Sequence, residues 1–408
     1  MYCIITANLK LLLNNSGGQN RMNNRKTRST LVMLLIITMV ATLALSACGK
    51  KNEEPKVPPH NPFTGAYAED GFDTSALERR NVAFVVENAP DARPQWGMDD
   101  PEYSPDMVLQ GEVEGGITRM LWFYADDTKL PEVIGPTRSA RPPFVKFSTL
   151  FDAIFIHWGM SHTTDNYIGA DKMFDWYDID HIDQMYLDDV EGMYGRDDTR
   201  AVNVEHTGII YGSKVPATIK NEGLRTTPND YTKFYFNDEP GPVSEDPATT
   251  VNVRYSEIAL EGSTWKYNEE DEMYHTSDFE NDFARDNLLV LIDNTEYVTK
   301  DDYGLGGSVT YCNYDLKGGK AKLYSKGTVK EIEWTVDGDC LILKDPSVDI
   351  EEAKKDKDSK AIIITPEPEE GEDSEDAEAR AYAVQTLNKG KTWIGWISGN
   401  NGGYVSES

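Results

Sequence analysis

Positive charge is scarce in this chain: 40 lysines and arginines face 70 aspartates and glutamates over 408 residues, a formal charge of −30. Such a surface is repelled by nucleic acid and by anionic headgroups, so nucleic acid is excluded as a main partner. Cysteine is nearly missing, with four residues in all, and no Cys-x-x-Cys occurs, which argues against a thiol redox enzyme. The chain also has no Gly-x-Ser-x-Gly, and no Gly-x-x-x-x-Gly-Lys-Ser/Thr for holding phosphate. The acidic stretch at 175–192 fails the EF-hand spacing, because Asp178 and Asp180 lead into Ile182 and Asp183. His157 and His162, with Asp165, have a spacing that matches no common ligand pattern. No cofactor and no metal is therefore expected, and the chain reads as a binder more than as an enzyme.

Long apolar runs are equally few. The longest lies at residues 31–45, short of the roughly 20 residues that span a bilayer. It follows Arg21, Arg25, Lys26 and Arg28 and ends in Leu45-Ser46-Ala47-Cys48. A basic start, a short apolar core and small residues at the end make an export signal. Residues 1–47 are therefore expected to be removed, with Met22 a more natural start than Met1. The Leu-Ser-Ala-Cys stretch resembles the lipobox of bacterial lipoproteins, which implies lipidation of Cys48 and a location on the outer face of the cell membrane. Cleavage takes 408 residues to 361; five cations and no acid leave, so the charge falls from −30 to −35. Of the remaining cysteines, Cys312 and Cys340 suit either a disulfide, which an exported protein permits, or two buried thiols.

Residues 48–78, rich in Lys, Glu, Pro, Asn and Gly, read as a tether without a face to bury. Strands are predicted at 81–87, 118–124 and 153–157, with a short helix at 143–149. A second helix is predicted within "TGIIYGSKVPATIKNEGLR", ending near Gly223. Alternating strands and helices make residues 79–228 an α/β domain. From 245 to 408 short alternating runs and polar turns predict a mainly antiparallel β domain, with a hairpin turning at Lys326-Gly327. An acidic insertion near 346–380 interrupts it before a late strand at 392–398.

Several stretches carry a resemblance: "NPFTG" at 61–65, "NAPDARPQWG" at 88–97, "VEGGITRM" at 113–120 and "IGPTRSARP" at 134–142. Looser matches are "GRDDTR" at 195–200, Trp265, the hairpin at Gly327 with Trp334, and "LNKGKTWI" at 387–394. In these the chain resembles the YerB-like family of bacterial lipoproteins. That resemblance implies two domains of unknown function and a membrane anchor, but no reaction.

The candidate anion site is Arg138 and Arg141, held in a stiff turn between Gly135-Pro136 and Pro142-Pro143, with Arg119 and Arg93 as further cations. A guanidinium is a rigid fork suited to carboxylate or phosphate. Each arginine is also a candidate to pair with one of the many acids and pin a loop. "GGITRMLWFY" followed by "GPTRSAR" is similar to the LytR-CpsA-Psr phosphotransferases, though Ser139 stands where their arginine is followed by aspartate. The expected role is a binding or scaffolding accessory in peptidoglycan or glycopolymer assembly, with an envelope-synthesis protein or an anionic envelope ligand as partner. The alternatives are an enzyme or binder acting on a phosphorylated lipid-linked saccharide, and a solute-binding lipoprotein.

Overall fold

Strands that are buried at every position, not at every second one, must be covered on both faces. Five such strands lie in one sheet of the computed structural model, which describes residues 57–280, 282–302, 307–356, 359–366 and 380–408. They are β1 (Val82–Glu87), β2 (Met107–Glu112), β3 (Thr118–Tyr124), β4 (Ile154–His157) and, far along the chain, β10 (Thr392–Ser398), each buried at every position. The remaining strands are β5 (His181–Asp183), β6 (Asn287–Asp293), β7 (Gly318–Ser325), β8 (Thr328–Asp337) and β9 (Cys340–Lys344). The order across the sheet is β9-β8-β7-β6-β10-β2-β3-β1-β4-β5.

That order changes the expected division of the chain. Strands from 79–228 and from 245–408 belong to one sheet, joined by β10, which runs parallel to β2 on one side and to β6 on the other. Met107, Thr392 and Asn287 sit at the same level across this seam. Pro55–Ser408 accordingly form one compact unit. The architecture is mixed α/β with a large, mostly antiparallel strand content, and the boundary expected between 228 and 245 is crossed by the sheet.

Each face of the sheet has its own cover. On one side lie helices α1 (Pro142–Thr149) and α2 (Ala170–Tyr177), whose Phe144, Phe147 and Phe174 reach the same core as Phe123, Phe155 and Trp396. On the other lies a five-stranded antiparallel sheet, where Trp265 meets Trp393 at 5.1 Å between ring centroids. Trp393 and Trp396 are three apart on one strand and so face opposite layers. Pro142 and Pro143 open α1, where a missing N–H costs nothing and a fixed φ helps. Lys326 (φ 50°) and Gly327 (φ 73°) form the tight turn between β7 and β8 that the sequence predicts.

Other expectations shift. Only the end of "TGIIYGSKVPATIKNEGLR" is α-helical: Gly208–Tyr211 is a strand, and the helix is Val215–Asn221. The β-branched Ile209 and Ile210 bury themselves in a three-stranded sheet with Val133–Ile134 and Tyr194–Arg196, and tertiary pairing wins there. The acidic insertion begins with a helix, Ile350–Lys355, capped by the Asp349 side chain. Its core at 367–379, like Cys48 and the signal, lies outside the described residues. Cys312 and Cys340 are free thiols.

Candidate functional site

The turn at 134–143 is laced between the ends of β1 and β4. Arg138 N–H donates to the Val85 carbonyl at 3.1 Å, and Trp158 N–H donates to the Arg138 carbonyl at 3.1 Å. Ala140 N–H donates to the Gly159 carbonyl at 2.9 Å, and Thr137 N–H to the Gly208 carbonyl at 2.7 Å. Strand ends in an open sheet are where side chains from separate elements converge, and these bonds fix which ones do.

Three of the four predicted arginines converge, but none as a bare cation. Glu114, from the turn between β2 and β3, takes a two-pronged bond from Arg141: Nε to Oε2 at 2.7 Å and Nη2 to Oε1 at 2.5 Å. Its Oε1 also accepts from Arg119 Nη2 at 3.0 Å, while Arg119 Nη1 donates to the Ser139 carbonyl at 2.6 Å. Arg119 is 2% exposed; burial, offset in part by Glu114, holds its pKa down at about 10. Arg138 lies between Glu87, with Nε 3.0 Å from Oε1, and Glu205, with Nη2 2.8 Å from Oε2. Arg93 stands apart from these pairs, bonded to Glu261 at 2.5 Å and to the Asn88 carbonyl. From the sequence both structural pairing and an open anion site were open to these arginines, and in the fold each of the four has a carboxylate beside it.

Arg138 alone of the four lines an open cleft, about 300 Å³ in volume. Arg196, from the "GRDDTR" stretch, to which the sequence assigns no role, lines the same cleft. Its guanidinium lies 4.2 Å over the Trp158 ring and bonds the Val204 carbonyl and Thr207 Oγ1, with no carboxylate partner among the described residues. Arginine stacked on an indole keeps its in-plane donors free for a ligand. Asp183, 4% exposed, holds the cleft floor by accepting from Gly159 N–H at 2.6 Å and Met185 N–H at 3.0 Å. Its Oδ2 has no hydrogen-bond partner among the described residues. Exposed Met185 and Tyr186 complete the rim. Behind Arg138, buried Glu87 also faces His206, whose Nδ1 is 3.0 Å from Oε2.

The histidines of the sequence reading part company. His157 is buried and its Nε2 lies 3.0 Å from Nδ1 of His181; both rings pack on Phe174. Burial pushes each imidazole down to about 4, so both are neutral at pH 7. His162 is exposed beside Asp171 at 3.5 Å. Chemically the cleft offers the Arg196 guanidinium, the Arg138 guanidinium shared with Glu87 and Glu205, the buried carboxylate of Asp183 and an apolar rim. Guanidinium groups of this kind suit a carboxylate or a phosphate.

Residues 63–225 match the family described as a protein of unknown function (DUF3048) N-terminal domain. A candidate lipoprotein, YerB of Bacillus subtilis (strain 168), is 28% identical over 297 residues, 70% of this chain and 80% of that protein. The crystal structure of the YerB protein from Bacillus subtilis superimposes with a TM-score of 0.61 at 22% identity. It covers 85% of this chain and 99% of that one, a likeness of fold.

Proposed function

Taking this chain as a member of the YerB-like family, we propose that it is a lipid-anchored binding protein on the extracytoplasmic face of the cell membrane. In this reading it holds an acidic saccharide component of the envelope for peptidoglycan or glycopolymer assembly. Cys48 supplies the anchor, residues 48–78 the reach, and the two-domain division of the sequence a functional one: the arginine cleft at 79–228 and partner-facing strands at 245–408. The observation that carries the reading is Arg196, stacked on Trp158 in the cleft that Arg138 also lines and without a carboxylate of its own among the described residues. A carboxylated or phosphorylated sugar would place its acid between the two guanidinia, its hydroxyls on Asp183 and its ring against Tyr186. The paired state of Arg93, Arg119 and Arg141 favours binding over catalysis, because those forks are already engaged.

Two measurements test this. Cys48→Ser is expected to abolish palmitate labelling and move the protein from the membrane to the soluble fraction; label retained on the variant would remove the anchor from the proposal. In calorimetric titration, N-acetylmuramic acid and glucose 6-phosphate are expected to bind the full chain. The Arg138→Ala, Arg196→Ala double variant should bind them at least roughly tenfold more weakly, since charge-assisted bonds are the strong ones. Unchanged titrations in a variant that melts normally would refute the cleft.

A further inference from the structure

A second cavity, of about 540 Å³, opens where β2, β10 and β6 begin together. Because those strands are parallel and in step, the residues just before them, Asp106, Lys391 and Asp286, are brought side by side. Two of the stretches singled out in the sequence meet here. The "NPFTG" turn, wound on the Asn61 side chain, contributes Asn61 and Thr64, and the "LNKGKTWI" stretch contributes Gly390 and Lys391. Gly390 N–H donates to the Thr64 carbonyl at 2.8 Å and ties the two together.

Most of this polar cluster is internally satisfied. Lys391 Nζ donates to the Ser104 carbonyl at 2.8 Å and to Ser104 Oγ at 2.6 Å. Its backbone N–H donates to Asp286 Oδ2 at 2.7 Å, and Asp106 Oδ2 accepts from Ala125 N–H at 2.9 Å. Burial pushes the lysine down to about 8 and both carboxyls up, so the floor is less charged than its residue types suggest.

Two lining atoms are different. The Tyr124 hydroxyl, on a residue 2% exposed, has no hydrogen-bond partner among the described residues. Neither does Asp126 Oδ2, on a residue 6% exposed, although Oδ1 of that carboxylate serves Arg79 and Thr128. Buried polar groups are normally paired, so a phenol and a carboxylate oxygen left unpaired on two residues that line the same cavity ask for a complement. Their chemistry narrows it. Asp126 Oδ2 accepts only, whereas the Tyr124 O–H needs an acceptor for its proton. An ammonium donates but cannot accept, and an anion meets five lining carboxylates against two lysines. A hydroxyl group does both jobs, and Phe72 and Tyr103 on the same lining offer faces to a ring.

We propose that this cavity binds a neutral, hydroxyl-rich ligand with the chemistry of a sugar ring, seated on Tyr124, Asp126 and Lys391. It is a site separate from the arginine cleft and does not depend on it.

The test uses the full chain, solubilised in detergent, with glucose and N-acetylglucosamine as probes and ethanolamine and glucose 6-phosphate as charged controls. Ligand-observed saturation-transfer NMR and calorimetry are expected to register the neutral sugars. Tyr124→Phe deletes one unpaired hydroxyl, so it should leave the melting temperature equal or higher while weakening both sugars roughly tenfold. Phe72→Ala, on a half-buried wall, should weaken them as well and serves if the first variant does not fold. The Arg138→Ala, Arg196→Ala variant should bind the neutral sugars like wild type, which separates failure of this site from failure of the cleft. The proposal is overturned if neither neutral sugar binds wild type, if Tyr124→Phe binds them equally, or if ethanolamine at this site outcompetes them.

Discussion

Glu114→Gln is expected to cost about 3–5 kcal/mol of folding stability at pH 7, since it leaves two buried guanidinia without their shared counter-charge. Arg119 is 2% exposed and the Arg141 side chain 11%, so water cannot replace the lost carboxylate cheaply. The size of this effect depends on pH in a defined direction. Burial alone would raise the Glu114 carboxyl, but Arg119 and Arg141 overcome it and hold the group well below the ordinary carboxylate range. A group depressed in the folded state contributes fully above its unfolded value, about 4.3, and loses that contribution as pH falls towards the folded one. Denaturant midpoints of wild type and variant should therefore be farthest apart above about pH 5 and draw together below about pH 4. A gap under about 1 kcal/mol at pH 7 would mean the cluster behaves like an exposed surface pair.

The second large effect belongs to the seam of the sheet. Trp396→Ala should destabilise by about 3–5 kcal/mol through lost burial and the space left behind. Trp396 is fully buried, with Tyr314 stacked at 4.0 Å and Phe147 at 5.4 Å between centroids. Its Nε1 donates to Asp293 Oδ2 at 3.1 Å, so the variant also removes one donor from a buried carboxylate. Because β10 pairs with β2 and β6 at once, the loss should fall on the whole sheet. Far-ultraviolet circular dichroism and tryptophan fluorescence should show one transition, moved by the same amount. Two transitions, with only one displaced, would mean that the early and late halves hold together independently.

Local features of this chain were legible and long-range ones were not. The strand at Thr118–Tyr124 and the turn at Lys326-Gly327 have signatures in a few neighbouring residues, and so does the helix after Pro142. The late strand was visible in "TWIGWIS", but nothing in those seven residues says that they enter the middle of a sheet begun at Val82. Parallel pairing leaves no turn to read, so the chain looked divisible at 228–245. The site followed the same rule. Arg138 announced itself by its stiff turn, and the Arg119 partner Glu114 lies only five positions away. The Arg141 bond to that same Glu114 spans 27 positions, and Arg138 reaches Glu87 and Glu205 across 51 and 67. In a chain with 70 acids, composition made pairing a fair expectation but could not choose the partners. Arg196 and Asp183 became visible as cleft residues only once three separate strand ends were placed together.

The position of β10 also sets an order of events during synthesis. A nascent chain that has emerged only as far as residue 391 has β2 and β6 complete, yet each presents a bare edge where Thr392–Ser398 should lie. Closure must wait for Thr392–Ser398 to arrive, and a non-local contact of that span is slow to form. Until then two apolar strands sit open to pairing with other chains. Whatever receives the growing chain must shield that gap from self-association until the missing rung slides in.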